Sequence, residues 1–412
     1  MTVVDEPSAS AGTSPDAAEI DLDAARVLAL VDTLLADHPP ATTSTRDFLG
    51  AQFDAGLAWV NFDEGCGGLG LPPSLQKLVQ ERLGRAHAPH PYAANPIGYG
   101  MGAPTVASHG TPEQRARYLR PLFTGEEVWC QLFSEPGAGS DVASLATRAV
   151  LDGDEWTVNG QKVWTTLGHI ARWGMLVART NPDLPKHRGM TYFIVDMHQP
   201  GVEVRPLRQI TGEAEFNEVY FTDARVPDAN RLGEVGDGWR VSLTTLMNER
   251  VSIGGNVPPR GSGLIGKAVD LWRERGLTDG ATRDQLMQLW VRAEVLRLTN
   301  WRAAQARRVG TPGPEGSIGK VAFAELNKDI SSFNVELMGP AGMLYDTYEM
   351  VQPTLAMNFE QVPQKVFLRT RANSIEGGTT EVMRNILGER VLGLPGEPRV
   401  DKALPWTEVP RN

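Results

Sequence analysis

Two short stretches carry residue types that could do chemistry. The first is Phe133-Ser134-Glu135-Pro136-Gly137-Ala138-Gly139-Ser140-Asp141. Its glycines let the backbone approach a ligand closely, its amide N–H groups can face an anion, and its two serines add hydroxyls. Such a loop suits a pyrophosphate or the edge of a flavin. Taken alone, a Gly/Ser loop beside a strand is usually only a turn. The second stretch is Val158-Asn159-Gly160-Gln161-Lys162-Val163-Trp164-Thr165-Thr166. Asn159-Gly160 predicts a tight turn. Trp164 offers a flat apolar face, and Thr165 and Thr166 place hydroxyls on opposite sides of a strand. A Trp stacked on a conjugated ring, with one Thr hydroxyl reaching a ring nitrogen, would make a cofactor wall. A core Trp beside surface threonines is the better reading of this stretch standing alone.

Other chemistries find no support. Cys66 and Cys130 are the only cysteines, so no disulfide framework is expected, and no Cys/His spacing suits zinc. No metal is expected. A net charge of −10 argues against a general nucleic-acid binder. No apolar run approaches the length of a membrane span. Asp5 and Glu6 stand where a signal peptide would be basic, which predicts a cytoplasmic protein.

The elements that must hold these stretches follow from periodicity. Residues 1–20 are rich in Ser, Ala, Gly, Thr and Pro and predict a disordered tail. From Leu22 the pattern is helical, with Val27, Val31, Leu34 and Leu35 on one face and Pro39-Pro40 as the stop. Helices are also predicted over Thr45–Ala55, from Leu75, and after Thr111-Pro112-Glu113-Gln114, which reads as a capping box. Residues 21–127 should therefore form a helical domain. Residues 128–238 read as a β domain, with strands at Arg148–Leu151, Trp156–Val158, Trp173–Ala178, Met190–Val195, Val202–Leu207 and Glu218–Phe221. Helices return over 239–396: Trp239–Asn256, Leu264–Glu274, Arg283–Arg308, Ile318–Leu337 and Thr380–Leu392. Residues 397–412 should be an extended tail. Helices, then strands, then helices predict an α+β chain of segregated domains rather than βαβ units. No GxGxxG follows a strand, so a Rossmann-type dinucleotide fold is not expected.

Taken together, these stretches resemble the acyl-CoA dehydrogenase family. The resemblance runs from Gly67-Gly68-Leu69-Gly70 through Gly110-Thr111-Pro112-Glu113-Gln114-Arg115 and both β-domain stretches. It closes on Glu376-Gly377-Gly378-Thr379-Thr380-Glu381-Val382-Met383-Arg384-Asn385 and Glu389-Arg390-Val391-Leu392-Gly393-Leu394-Pro395. The resemblance implies an N-terminal helical domain, a β-barrel-like middle domain and a C-terminal four-helix bundle, with FAD between the last two. It places Phe133, Ser134, Gly139 and Ser140 near the isoalloxazine and pyrophosphate. Trp164 would stack on the flavin, Thr166 would reach its N5 edge, and Thr379 and Glu381 would also meet FAD. The implied reaction is α,β-dehydrogenation of an acyl-CoA thioester to the trans-2-enoyl-CoA. A carboxylate takes the α-proton, and the β-carbon gives hydride to the flavin. The base should be a Glu whose pKa is raised by a dry, apolar site.

Many family members carry that base directly before the Gly-Thr of the C-terminal stretch, where this chain has Gly377. A branch including the isovaleryl and long-chain enzymes carries it directly before an Arg, on the first helix of the C-terminal domain. This chain has Met247-Asn248-Glu249-Arg250 there. Glu249 is thus the expected base and Glu376 the weaker alternative. Arg250 would border the substrate tunnel. Gly377 could still offer its N–H to the thioester carbonyl, and Ser140 would also touch substrate.

The Arg-x-x-Phe-Gly stretch by which family members grip FAD across a subunit interface is replaced here by Arg273-Glu274-Arg275-Gly276-Leu277. Glu336-Leu337-Met338-Gly339-Pro340 likewise replaces a usual Gln and Gly-Gly. The expected assembly is therefore a homotetramer or an α2β2 heterotetramer, as in actinobacterial relatives acting on steroid side chains. An electron-transfer flavoprotein is the implied acceptor. A flavin acyl-CoA oxidase on the same fold and a non-catalytic partner subunit are the competing readings.

Overall fold

The computed structural model describes residues 15–254, 257–309, 316–345, 347–354 and 362–410. The chain forms two compact units. One comprises the residues up to His90 together with Leu119–Glu126; the other comprises Pro91–Tyr118 and everything from Glu127 onward.

The first unit holds α1 (Pro15–Asp37), α2 (Thr45–Asp54) and α3 (Gln76–Arg85). The helix expected from Leu22 begins at Pro15, and residues 1–14 lie outside the described residues. Ser44 caps α2, its hydroxyl accepting from the Asp47 N–H at 3.2 Å. Val27, Val31, Phe48, Leu57, Val79, Leu119 and Leu122 are buried there. Trp59 stacks on Phe62 at 4.9 Å and meets Phe123 edge-on at 5.0 Å.

The second unit opens with α4 (Ala103–His109) and α5 (Pro112–Phe123), whose end belongs to the first unit. The capping box at α5 forms as its residue types predict: the Gln114 N–H donates to Thr111 Oγ1 at 3.2 Å, and the Thr111 N–H donates to Gln114 Oε1 at 3.0 Å.

One mixed sheet follows: β1 (Trp129–Leu132), β2 (Arg148–Asp152), β3 (Glu155–Thr166), β4 (Trp173–Arg179), β5 (Met190–Asp196), β6 (Val202–Pro206), β7 (Phe216–Pro227) and β8 (Arg231–Leu232). Its order is β6-β7-β3-β2-β4-β5-β8, and β1 pairs with β4. The β1–β4 and β2–β4 pairings are parallel and the rest antiparallel. Trp156, Val158, Leu176, Phe193, Val195, Val219 and Phe221 form its core.

The Asn159-Gly160 turn predicted from sequence does not exist. β3 runs straight through it, paired to β7, with the register slipping between Val158 and Gly160. The Asn159 side chain and Asp223 bond to each other across the pair instead. Glycine is needed because a Cβ at Gly160 would sit 2.5 Å from Thr147 Oγ1 and 2.7 Å from its Cα. Close approach of a neighbouring backbone, not chain reversal, fixes this glycine.

The C-terminal part comprises α6 (Gly238–Gly254), α7 (Leu264–Glu274), α8 (Gly280–Val309), α9 (Gly316–Leu337), α10 (Pro363–Thr370) and α11 (Thr380–Ile386). A wider π turn, Leu387–Val391, extends α11. Ile265, Ala268, Leu286, Leu289, Leu326, Ile330 and Phe333 pack α7, α8 and α9 together. Helix α10 was not expected. Pro363 in its first turn and the Val366/Thr370 spacing on its buried side were the available signals. The final segment docks on the sheet: Trp406 Nε1 donates to the Ser144 carbonyl at 3.2 Å, and Lys186 Nζ lies 2.7 Å from Asp141 and 2.6 Å from Asp401.

Candidate active site

The loop that follows β1 is fastened from behind. Lys162, fully buried on β3, donates to the Phe133 carbonyl at 3.0 Å and to Glu135 Oε1 at 2.8 Å. The Glu135 carboxylate also accepts the N–H groups of Ala146 (2.7 Å) and Thr147 (3.0 Å). Burial alone would raise the Glu135 pKa, but the Lys162 charge and these hydrogen bonds hold it below the usual carboxylate value. The Val163 N–H donates to the Ser134 carbonyl at 2.9 Å, so β3 carries the loop rung by rung. Phe133 is buried, edge-on to Tyr192 at 5.9 Å; Ser134 is half-buried, and Gly139 and Ser140 are exposed. A Cβ at Gly137 or Gly139 would meet open space.

One residue past that fastening, Trp164 is 57% exposed and has a φ of +63°. A bulky side chain seldom adopts this left-handed conformation. It arises where β3 slips register against β7 between Lys162 and Thr165. The slip turns the indole out of the sheet, edge-on to Phe216 at 5.9 Å. Thr165 is fully buried and its hydroxyl has no hydrogen-bond partner, whereas Thr166 is half-buried opposite Phe216. Among the described residues, the Ser134, Ser140 and Thr166 hydroxyls make no hydrogen bond within the chain. A flat exposed ring beside spare hydroxyls and an open glycine loop fits a planar heterocycle with a polar edge and a phosphate tail, as FAD has.

Helix α6 carries Glu249, and buried contacts hold the turn before it. Thr245, one turn earlier and fully buried, lies 3.1 Å from the Tyr192 hydroxyl and 3.0 Å from Thr105 Oγ1. His109 Nε2 lies 2.8 Å from Thr244 Oγ1. Glu249 itself is half-buried, and the Arg250 side chain lies outside what the structure describes.

The C-terminal stretch is tied to α10. Glu376 is engaged as an ion-pair partner: Arg369 Nη1 and Nη2 reach its two oxygens at 3.1 and 2.9 Å, and Asn373 Nδ2 donates at 2.6 Å. Both oxygens are thus engaged by donors of the chain, which argues against Glu376 as base. Gly377 and Gly378 follow with φ of +63° and +90°, a turn that excludes larger residues. The Thr379 hydroxyl caps α11 by accepting from the Val382 N–H at 3.2 Å, and Glu381 is exposed in the first turn of that helix. The buried Lys320 of α9 donates to the Asn373 carbonyl at 2.9 Å. Burial lowers its pKa, and the carboxylates of Glu376, Glu381 and Glu249 act in the opposite direction. One buried amine thus lies in the field of all three acids.

Sequence reasoning missed Arg369, Lys320 and Tyr192 because no local pattern marks them. The two arginines of the stretch that replaces Arg-x-x-Phe-Gly are engaged locally: Arg275 donates to the Met338 carbonyl at 3.2 Å, and Arg273 faces Asp270 at 3.8 Å. Among the described residues, no His/Cys/Asp/Glu cluster could hold a metal ion, and no helix is long and apolar enough to cross a membrane.

A helical N-terminal part, a mixed middle sheet and a C-terminal helical part define a flavoprotein oxidoreductase class. The chain belongs to the acyl-CoA dehydrogenase family. Models of that family's N-terminal, middle and C-terminal domains match residues 27–126, 130–224 and 236–392. The acyl-CoA dehydrogenase IpdE1 of Mycobacterium tuberculosis is 38% identical over 351 residues, 84% of this chain and 86% of that protein. A structure described as the Tcur3481-Tcur3483 steroid ACAD superposes with a TM-score of 0.69 at 25% identity, covering 92% of this chain and 98% of that one. The ChsE4-ChsE5 complex from Mycobacterium tuberculosis gives 0.66 at 27% identity, covering 94% of this chain and all of that one.

Proposed function

We propose that this acyl-CoA dehydrogenase uses FAD to convert an acyl-CoA thioester to its trans-2-enoyl-CoA, with Glu249 as the base. The observation that carries this reading is Trp164, held in a left-handed conformation with its ring outside the sheet beside the spare Thr166 hydroxyl. Strain of this kind persists where the surrounding structure enforces it, and it gathers at functional sites. FAD, when bound, supplies the hydride acceptor. Phe133, Ser134, Gly139, Ser140, Trp164, Thr166, Thr379 and Glu381 hold it. Glu249 removes the α-proton, which is too weakly acidic unless the enolate is stabilised. The Gly377 N–H gives one hydrogen bond to the thioester carbonyl for this purpose. Arg250 and Ser140 border the substrate.

The likeness to a protein described as a steroid ACAD favours a steroid side-chain thioester over a straight fatty chain. Anaerobic titration of the flavin-loaded protein with each kind of acyl-CoA tests both points. Bleaching of the flavin by a steroid side-chain thioester is expected, and no bleaching by any acyl-CoA would overturn the reading.

An apolar stripe on α8 supports assembly. Met287, Val291, Val295, Leu298 and Trp301 recur every three or four residues and are all exposed, while Leu286 and Leu289 face the bundle. Such a stripe marks a protein interface. The chain forms a homotetramer or an α2β2 heterotetramer, and it passes electrons to an electron-transfer flavoprotein. Sedimentation of the purified chain, with flavin absorbance read against protein, distinguishes the two assemblies. A homotetramer with one tightly held FAD per chain removes the case for an unlike partner.

A further inference from the structure

The segment entering β7 and the helix α10 meet along a ladder of charge. Lys365 Nζ lies 2.6 Å from Glu213, and one helical turn later Arg369 Nε lies 3.3 Å from Glu215. Basic residues four apart on a helix thus face acids two apart on an extended strand. The same region is joined by backbone: the Ala214 N–H donates to the Val351 carbonyl at 2.8 Å, and the Val351 N–H donates to the Gly212 carbonyl at 3.1 Å.

Lys365 ends at its one acid, but Arg369 does not. Its other two nitrogens take both oxygens of Glu376. Its guanidinium carbon lies 5.7 Å from the centre of the Phe216 ring, and that ring meets Trp164 edge-on at 5.9 Å. The Glu215 carbonyl accepts the Leu167 N–H at 2.9 Å, directly after Thr166. A single four-fifths-buried side chain therefore touches the residue before Gly377 on one wall and the strand that supports Trp164 and Thr166 on the other. Only a planar fork with donors on several edges can do this; a lysine has one donor centre. Burial opposes the charge on Arg369, but Glu376 and Glu215 outweigh it, so the guanidinium stays protonated throughout.

We propose that Arg369 is a positioning residue that holds the Glu376-Gly377-Gly378 turn at a fixed separation from the Trp164–Thr166 wall. This rests on the dehydrogenase reading above, because the separation matters only if thioester and flavin lie between those walls. Arg369 touches neither of them. It acts through Glu376 on the carbonyl-facing N–H, and through Glu215 and Phe216 on the flavin-facing ring. Its pairing also keeps Glu376 from competing as a base.

The test uses the full chain in two states. In the apoprotein, amide hydrogen exchange is followed over residues 372–380 and 160–168 for wild type, Arg369→Gln and Arg369→Lys. Exchange should accelerate at least tenfold in both segments for Arg369→Gln and partly recover in Arg369→Lys. In the loaded enzyme, flavin reduction by substrate should fall about ten- to a hundredfold in Arg369→Gln, the size expected from misplaced reacting groups. If Arg369→Gln does not fold, Glu376→Gln replaces it; faster exchange in 372–380 alone is then expected. Unchanged exchange in both segments, or a reduction rate within twofold of wild type, overturns the proposal. Failure of the wild type to bind flavin or be reduced overturns the dehydrogenase reading instead, and the apoprotein exchange still reads the clamp.

Discussion

The Tyr192 hydroxyl lies 3.1 Å from Thr245 Oγ1, and this contact ties the helix that carries Glu249 to β5. Both residues are fully buried, and burial pushes the Tyr192 phenol well above its ordinary pKa. Thr245→Val should cost about 1–3 kcal/mol, because it leaves a buried phenol hydroxyl without a partner. Adding Tyr192→Phe removes that stranded group, so the double variant should be more stable than Thr245→Val alone. Denaturant midpoints at constant slope measure both; a double variant less stable than the single one refutes the pairing.

Glu249→Gln should keep FAD bound and slow flavin reduction by about a thousandfold, within the range general-base catalysis contributes. Glu376→Gln should stay within about tenfold of wild type, since Glu376 is already paired with Arg369. Stopped-flow bleaching decides. Near wild-type reduction in Glu249→Gln, or the larger loss in Glu376→Gln, would reassign the base.

Trp164→Gly separates strain from function. The left-handed backbone at Trp164 costs about 1–2 kcal/mol, which glycine does not incur. The indole is mostly exposed, so little packing is lost with it. Apoprotein stability should therefore remain within about 1 kcal/mol of wild type, while FAD affinity falls about tenfold through lost stacking. Denaturation and flavin titration measure the two quantities. A large stability loss with unchanged affinity would return Trp164 to an ordinary structural role.

Stability should fall on mild acidification. Burial, and then the Arg240 charge, hold the His109 pKa below its ordinary value, while Asp237 partly opposes them. Arg240 Nη1 lies 3.4 Å from His109 Nδ1 and can only donate, so the proton sits on Nε2, facing Thr244. Between the depressed value and about pH 6.5 the unfolded chain binds more protons than the folded one. The contribution is complete above that pH and is lost as pH falls through the window. His90 and His187 are also depressed by burial, so His109→Gln should lessen the slope of melting temperature against pH without abolishing it. An unaltered slope would show that His109 titrates freely.

By itself the sequence determined what depends on near neighbours. Helical and strand periods in their order and the Thr111/Gln114 capping box rest on contacts within a few residues, so composition reveals them. The glycine loop after β1 and the Trp-Thr-Thr run were visible as chemistry, and their resemblance to a family pointed to FAD. Tertiary structure decided everything that required a partner far along the chain. Asn159-Gly160 has the residues of a turn, yet Thr147 and β7 impose a slipped strand on it. Trp164 acquires its strained, exposed state only from that pairing. Glu376 looks like a rival base until Arg369 arrives, on a helix the sequence pattern did not announce. Charge pairs, register slips and close backbone approaches are set by which surfaces the fold brings together, and a local window of residues contains no record of that choice.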